Sequence, residues 1–152
     1  FAPLENTALD HVLRETAPQA DSAARAAAIA AAEGSPGAAL DFVEQDLGKL
    51  HQLMTRLIAE GDDHFTLRGA LADEIGARPT RERQQATVDL ARAVVASELG
   101  RGDIAHNQRV IAAHGELVRL AGQMPTYNFD PAIAALEIGA LLASLAMPRE
   151  AA

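Results

Sequence analysis

The chain has 152 residues, about the size of one ordinary domain or two small ones. Lys and Arg total 13 against 21 Asp and Glu, a net charge of −8, with Lys49 the only lysine, which argues against gripping a phosphate backbone. No cysteine is present, so disulfides, thiolate nucleophiles and Cys-type zinc sites are excluded, and no apolar run reaches the ~18 residues of a membrane helix.

Apolar residues make up 49% of the chain but aromatics only 3%, while Ala fills 34 positions. A core drawn from Leu, Ile, Val and Ala at close range suits helices better than sheets. The chain starts at Phe1 without a basic-then-apolar leader, which leads us to expect a piece of a longer cytoplasmic protein.

Phe1-Ala2-Pro3-Leu4 reads as extended, since Pro3 disfavours helix at Ala2. Glu5 to Glu15 places Leu9, Val12 and Leu13 on one stripe, and Thr16-Ala17-Pro18 ends that helix. Asp21 is the expected N-cap of an Ala-rich helix to Glu33, with Ile29 its only large side chain. Gly34-Ser35-Pro36-Gly37 then breaks the chain, and Pro36 opens a helix to Gln45 that presents Leu40 and Val43.

From Asp46 the stripes become richer. Leu47, Leu50, Met54, Leu57 and Ile58 follow the helical period up to Gly61. Asp62 or Asp63 caps the next helix, with Phe65, Leu67, Leu71 and Ile75 along it and a stop at Gly76. Thr80 opens a long helix to Gly100 with the stripe Val88, Ala91, Val95, Leu99. The Arg78, Arg81, Arg83 run at its start reads as a solvated helix end, with a salt-bridge patch for a protein partner as the alternative. Asp103 opens another helix, striped by Asn107, Val110, Ile111, His114, Leu117, Val118 and Ala121 and stopped by Gly122 to Pro125. Asp130-Pro131 starts the last helix, which carries Ile133, Leu136, Ile138, Leu141, Leu142 and Leu145 and ends at Met147-Pro148. The expectation is an all-α protein, three short helices and then five of bundle type, with no strand.

Catalytic patterns are sparse. A di-metal carboxylate bundle needs two Glu-x-x-His pairs, and only Asp103-x-x-His106 occurs, at a helix start where Asp serves as a cap. Neither Ser22, Ser35, Ser97 nor Ser144 lies in a nucleophile-elbow pattern, and no phosphate loop surrounds Lys49. His114 reads as a core or interface histidine, while His51 and His64 are too far apart in sequence for a local ligand pair. No catalytic residue, cofactor site or metal site is expected.

Two segments remain. Gly34-Ser35-Pro36-Gly37-Ala38-Ala39-Leu40 is, on local physics, a corner between two helices: Gly34 past the end of one, Ser35 capping the next, Pro36 at its first position. Tyr127-Asn128-Phe129-Asp130 puts two of the few aromatics on a loop, either packed onto the bundle or free to anchor a protein partner.

The first segment resembles the Gly-Ser-x-Arg-Asp-Ala-Leu stretch that opens the third lid helix of AAA+ clamp-loader subunits. In ATP-binding members the arginine reaches the nucleotide phosphates; here Gly37 stands in its place and Ala38 in that of the aspartate. The form Gly-Ser-Pro-Gly-Ala-Ala-Leu is similar to the delta-prime family of the bacterial DNA polymerase III clamp loader, which does not hydrolyse ATP. Phe1 to Leu4 resembles that family's segment entering the lid, and Tyr127 to Asp130 the start of its last collar helix. The resemblance implies a three-helix AAA+ lid over residues 1–46 and a five-helix collar over residues 47–148. It implies partners among the delta and gamma/tau subunits, only indirect contact with DNA, and a scaffold role in holding a pentameric ring. A different expectation left open by the residues is a helical regulatory or small-ligand module, with His114 and the Tyr127 loop lining its pocket.

Overall fold

The computed structural model describes residues 2–126 and 130–146; Phe1, Tyr127, Asn128, Phe129 and 147–152, including the expected stop at Met147-Pro148, lie outside the described residues. Eight α-helices and no strand occur among those described: α1 (Asn6–Thr16), α2 (Ser22–Ala32), α3 (Pro36–Glu44), α4 (Gly48–Glu60), α5 (Thr66–Ile75), α6 (Arg81–Ala96), α7 (Ile104–Gln123) and α8 (Pro131–Ala143). The chain divides into two compact units, Phe1–Lys49 and Leu50–Ala152.

In the first unit α2 pairs mainly with α3, and α1 lies against both. Its core is Leu9, Leu13, Ala17, Ala28, Ala32, Ala39, Phe42 and Leu47. Each large side chain among them contributes about 1.5–3 kcal/mol by leaving water, and the alanines between them let the helices approach closely. The face of α3 turned inward carries Ala39 and Phe42; Leu40 and Val43, the expected stripe, are only half-buried, as is Ile29 of α2. Phe42 is the larger apolar body, so its burial sets the rotation of α3. Asp10 on α1 binds Arg25 on α2 at 3.0 Å, and Arg25 also donates to the Ala20 carbonyl. That hydrogen bond from Arg25, aided by Arg14, holds the Asp10 carboxyl below its ordinary value.

Caps fall where local chemistry puts them. The side chains of Asp21, Ser35, Thr80, Asp103 and Asp130 accept backbone N–H groups at the starts of α2, α3, α6, α7 and α8.

In the second unit α5 pairs with α8 and α6 with α7, and contacts of α6 with α8 join the pairs. Leu50, Met54, Leu57 and Ile58 of α4 are buried, as the sequence indicates; Leu53, outside the expected stripe, is buried with them, and Leu47 precedes the helix. The stripes of α7 and α8 differ most from expectation. On α7 the inward residues are His106, Val110, Ala113, Leu117 and Leu120, while Ile111 and Val118 face water and Asn107, His114 and Ala121 are half-buried. On α8 Ala135, Ile138, Gly139 and Leu142 turn inward, and Ile133 and Leu136 are exposed. Both helices are apolar on more than one side, so periodicity alone leaves their rotation open. Helix α6 ends at Ala96 rather than near Gly100, since the Ser97 hydroxyl bonds the Val94 carbonyl and Gly100 takes a positive φ; Leu99 is left exposed.

Gly34 is the tightest point of the first unit. Its φ is +87°, its carbonyl accepts the Leu4 N–H at 2.9 Å, and a Cβ there would lie 2.4 Å from Pro3 Cβ. Gly34→Ala is expected to destabilise the protein by about 1–3 kcal/mol. Gly37→Ala, where a Cβ meets nothing within 4 Å, is expected to be neutral or mildly stabilising. Thermal denaturation of the two variants side by side checks this.

Candidate functional site

The corner singled out in the sequence is assembled as its local chemistry suggests. Ser35 Oγ accepts the Ala38 N–H at 3.2 Å and Pro36 occupies the first turn of α3. Gly34 is buried, Gly37 is exposed and Leu40 is half-buried. Nothing packs on Gly37, so an arginine there would project from the surface without a clash. Glycine at this position is not demanded by packing.

The other candidates are dispersed. Tyr127, Asn128 and Phe129 lie outside the described residues; Asp130 caps α8 through the Ala132 and Ile133 N–H groups. His51 is half-buried, and that burial lowers its pKa. His64 is exposed on the α4–α5 turn. In the arginine run, Arg83 donates to the Glu74 carbonyl at 3.0 Å, tying α6 to the end of α5, while Arg78 and Arg81 are exposed. Among the described residues no group of three or more His, Cys, Asp or Glu is placed to hold a metal ion.

A recess between α5, α6 and α8 is lined by apolar groups such as Ile75, Val88, Met124 and Ile138, and His114 does not line it. Its volume of about 20 Å³ holds roughly one water. It is a packing gap.

Three features that periodicity did not reveal are better developed. The buried histidine is His106 rather than His114, at 2% exposure. Neither ring nitrogen has a hydrogen-bond partner, the Glu98 carboxylate lies 3.7 Å from Nε2, and Gly102 closes over the ring. Asp103 takes the His106 backbone N–H at 2.8 Å, so the Asp-x-x-His spacing serves as a helix cap.

The second is the α4–α5 turn. Asp62 is buried, and its carboxylate accepts the N–H groups of Leu67 and Arg68 and the Arg68 Nε, each at 2.9 Å. It thereby caps α5 from four residues ahead of the first helical residue, Thr66. Arg68 also donates to the Asp62 carbonyl and lays its guanidinium 4.0 Å from the centroid of the Phe65 ring. Its stem runs over Gly139 of α8, where any Cβ would collide with Arg68 Cγ. Phe65, expected on the inner stripe of α5, is instead 62% exposed at φ +60°. A bulky residue in that region costs on the order of 1–3 kcal/mol, offset by the bonds to Asp62 and the guanidinium contact. Beside the ring lies an open depression of about 950 Å³.

The outward faces of α7 and α8 carry a third feature. Ile104, Ile111 and Val118 recur every seven residues along α7 and are 78%, 63% and 45% exposed. Ile133 and Leu136 on α8 are 62% and 44% exposed. Arg119 of α7 joins the two helices by binding Glu137 of α8 at 3.2 Å, while also holding Glu116 at 2.8 Å.

Burial by itself disfavours the charged form of Asp62, but the hydrogen bonds from Leu67, Arg68 and the guanidinium outweigh it and hold the carboxyl below its ordinary value. Its contribution is therefore present above the ordinary carboxylate range near pH ~4 and lost as pH falls through the lowered folded value. Asp62→Asn is expected to cost about 2–4 kcal/mol at neutral pH and to flatten the acid limb of stability, as read from melting temperatures down to about pH 3. Comparison of the chain with protein-family models, with curated proteins and with solved structures finds no match.

Proposed function

We propose that the chain is a non-catalytic interaction scaffold of the clamp-loader kind, similar to the lid and collar of the delta-prime family. In this reading residues 1–46 are the lid and residues 47–148 the collar. The collar packs against the delta and gamma/tau subunits in the cytoplasm and helps hold the pentamer that opens the sliding clamp, meeting DNA only through them. Its role is mechanical: helices that bury one stripe inside the bundle offer another to neighbours.

The observation that carries this reading is the outward apolar surface of α7 and α8. Five large aliphatic side chains, Ile104, Ile111, Val118, Ile133 and Leu136, face water on two helices joined by Arg119 and Glu137. Scattered exposed aliphatics are ordinary, but a seven-residue recurrence along one helix is the pattern by which helices pack on helices. Gly37 supports the same reading from the other unit. At the position where ATP-binding relatives extend a guanidinium toward phosphate, this chain has no side chain at all.

Co-purification with the collar regions of delta and gamma/tau tests the assignment. The unaltered chain is expected to associate, and a variant carrying Ile111→Asp with Val118→Asp is expected to lose association with little change in melting temperature, both positions being exposed. The chain is further expected to give no calorimetric signal with ATP; micromolar binding would exclude the reading.

A further inference from the structure

The α4–α5 turn displays an aromatic ring that the core does not use. Phe65 is mostly exposed and lies at a φ that a phenylalanine rarely adopts. The surroundings fix it there: Asp62 anchors the turn by three hydrogen bonds, and the Arg68 guanidinium supports one face of the ring. A side chain that gains little from burial, sits on strained backbone and is held rigid has the form of a binding anchor.

We propose that this turn and the depression beside it dock a segment of a partner protein that presents an arginine or lysine next to a large apolar side chain. The apolar requirement follows from the lining. Leu53 on α4, Ala140 and Ala143 at the end of α8 and Ala146 just beyond it line the depression together with Phe65, and alanines leave room that larger side chains would fill. The cationic requirement follows from the charges. Of the acidic groups there, Glu60 binds Arg56 and Asp62 binds Arg68. Asp63 is exposed and has no ion-pair partner among the described residues, so one carboxylate stands uncompensated on a chain whose net charge is −8. An incoming ammonium or guanidinium meets Asp63 while its apolar neighbour covers the ring. The two proposals are read at different residues, Phe65 and Asp63 on the α4–α5 turn here and Ile111 and Val118 on α7 there, so either can fail without the other.

The test is selection of random dodecapeptides, displayed on phage, against the immobilised full chain. Enriched sequences are then synthesised and titrated by calorimetry. The expected peptides pair Arg or Lys with Leu, Ile, Met or Phe, and Phe65→Asn and Asp63→Asn each weaken their binding by about tenfold or more. Asn tolerates the left-handed region, so Phe65→Asn is expected to leave the melting temperature unchanged or raise it. That separates an anchor from a structural residue. The proposal is overturned by lack of enrichment, by acidic or wholly polar consensus sequences, or by binding indifferent to both substitutions. It is also overturned by a lowered melting temperature of Phe65→Asn, or by a Phe65-dependent dimer in sedimentation, which would give the surface to a second copy of the chain.

Discussion

A core made almost without aromatic bulk sets the terms for the rest of this protein. Where alanines supply much of the inward surface, as on α2 and α3, helices gain enough burial only by lying close together. Each helix start also carries free N–H groups, and side chains accept part of them. Asp21, Ser35, Thr80, Asp103 and Asp130 do so from the adjacent position. Asp62 does it from farther away, folding the α4–α5 turn back so that one carboxylate serves two N–H groups and a guanidinium.

Glycines complete the same economy of space. Gly34 lets the chain entering α1 cross the α2–α3 corner, with Pro3 where a side chain would otherwise be. Gly139 lets the Arg68 stem lie on α8, which fixes the guanidinium under Phe65. Gly102 closes over the His106 ring at the α6–α7 connection. At Gly34 and Gly139 the missing Cβ sits where another segment passes, and at Gly102 where a side chain one turn on lies, so these glycines report contacts rather than flexibility.

The second unit has more apolar surface than its core absorbs. Helix α7 buries Val110, Leu117 and Leu120 and still presents Ile104, Ile111 and Val118 to water; α8 buries Ile138 and Leu142 and presents Ile133 and Leu136. That surplus made the stripes hard to orient from sequence. Val110 and Leu117 lie on the expected face, but Ile111 and Val118 stand next to them in sequence, and β-branched aliphatics look like core wherever they fall. The small residues Ala113 and Gly139, which close packing favours, carry no such signal. Phe65 is a related case: an aromatic two residues ahead of Leu67 reads as part of the same apolar run, and only the bonds of Asp62 reveal a turn that lifts it outward.

The amino-acid sequence by itself determined that the chain is helical, where most of the helices begin, and which residues cap most of them. These are local matters, settled by proline, glycine, short polar side chains and spacing within a few residues. It also determined the stripe of α4 apart from Leu53, because one face alone is rich in large aliphatics. The rotation of α7 and α8, the choice of His106 over His114 for burial, and the exposure of Phe65 were decided only by tertiary structure. Each is a choice between faces of similar hydrophobicity, and the energy that decides it comes from contacts between residues far apart in the chain.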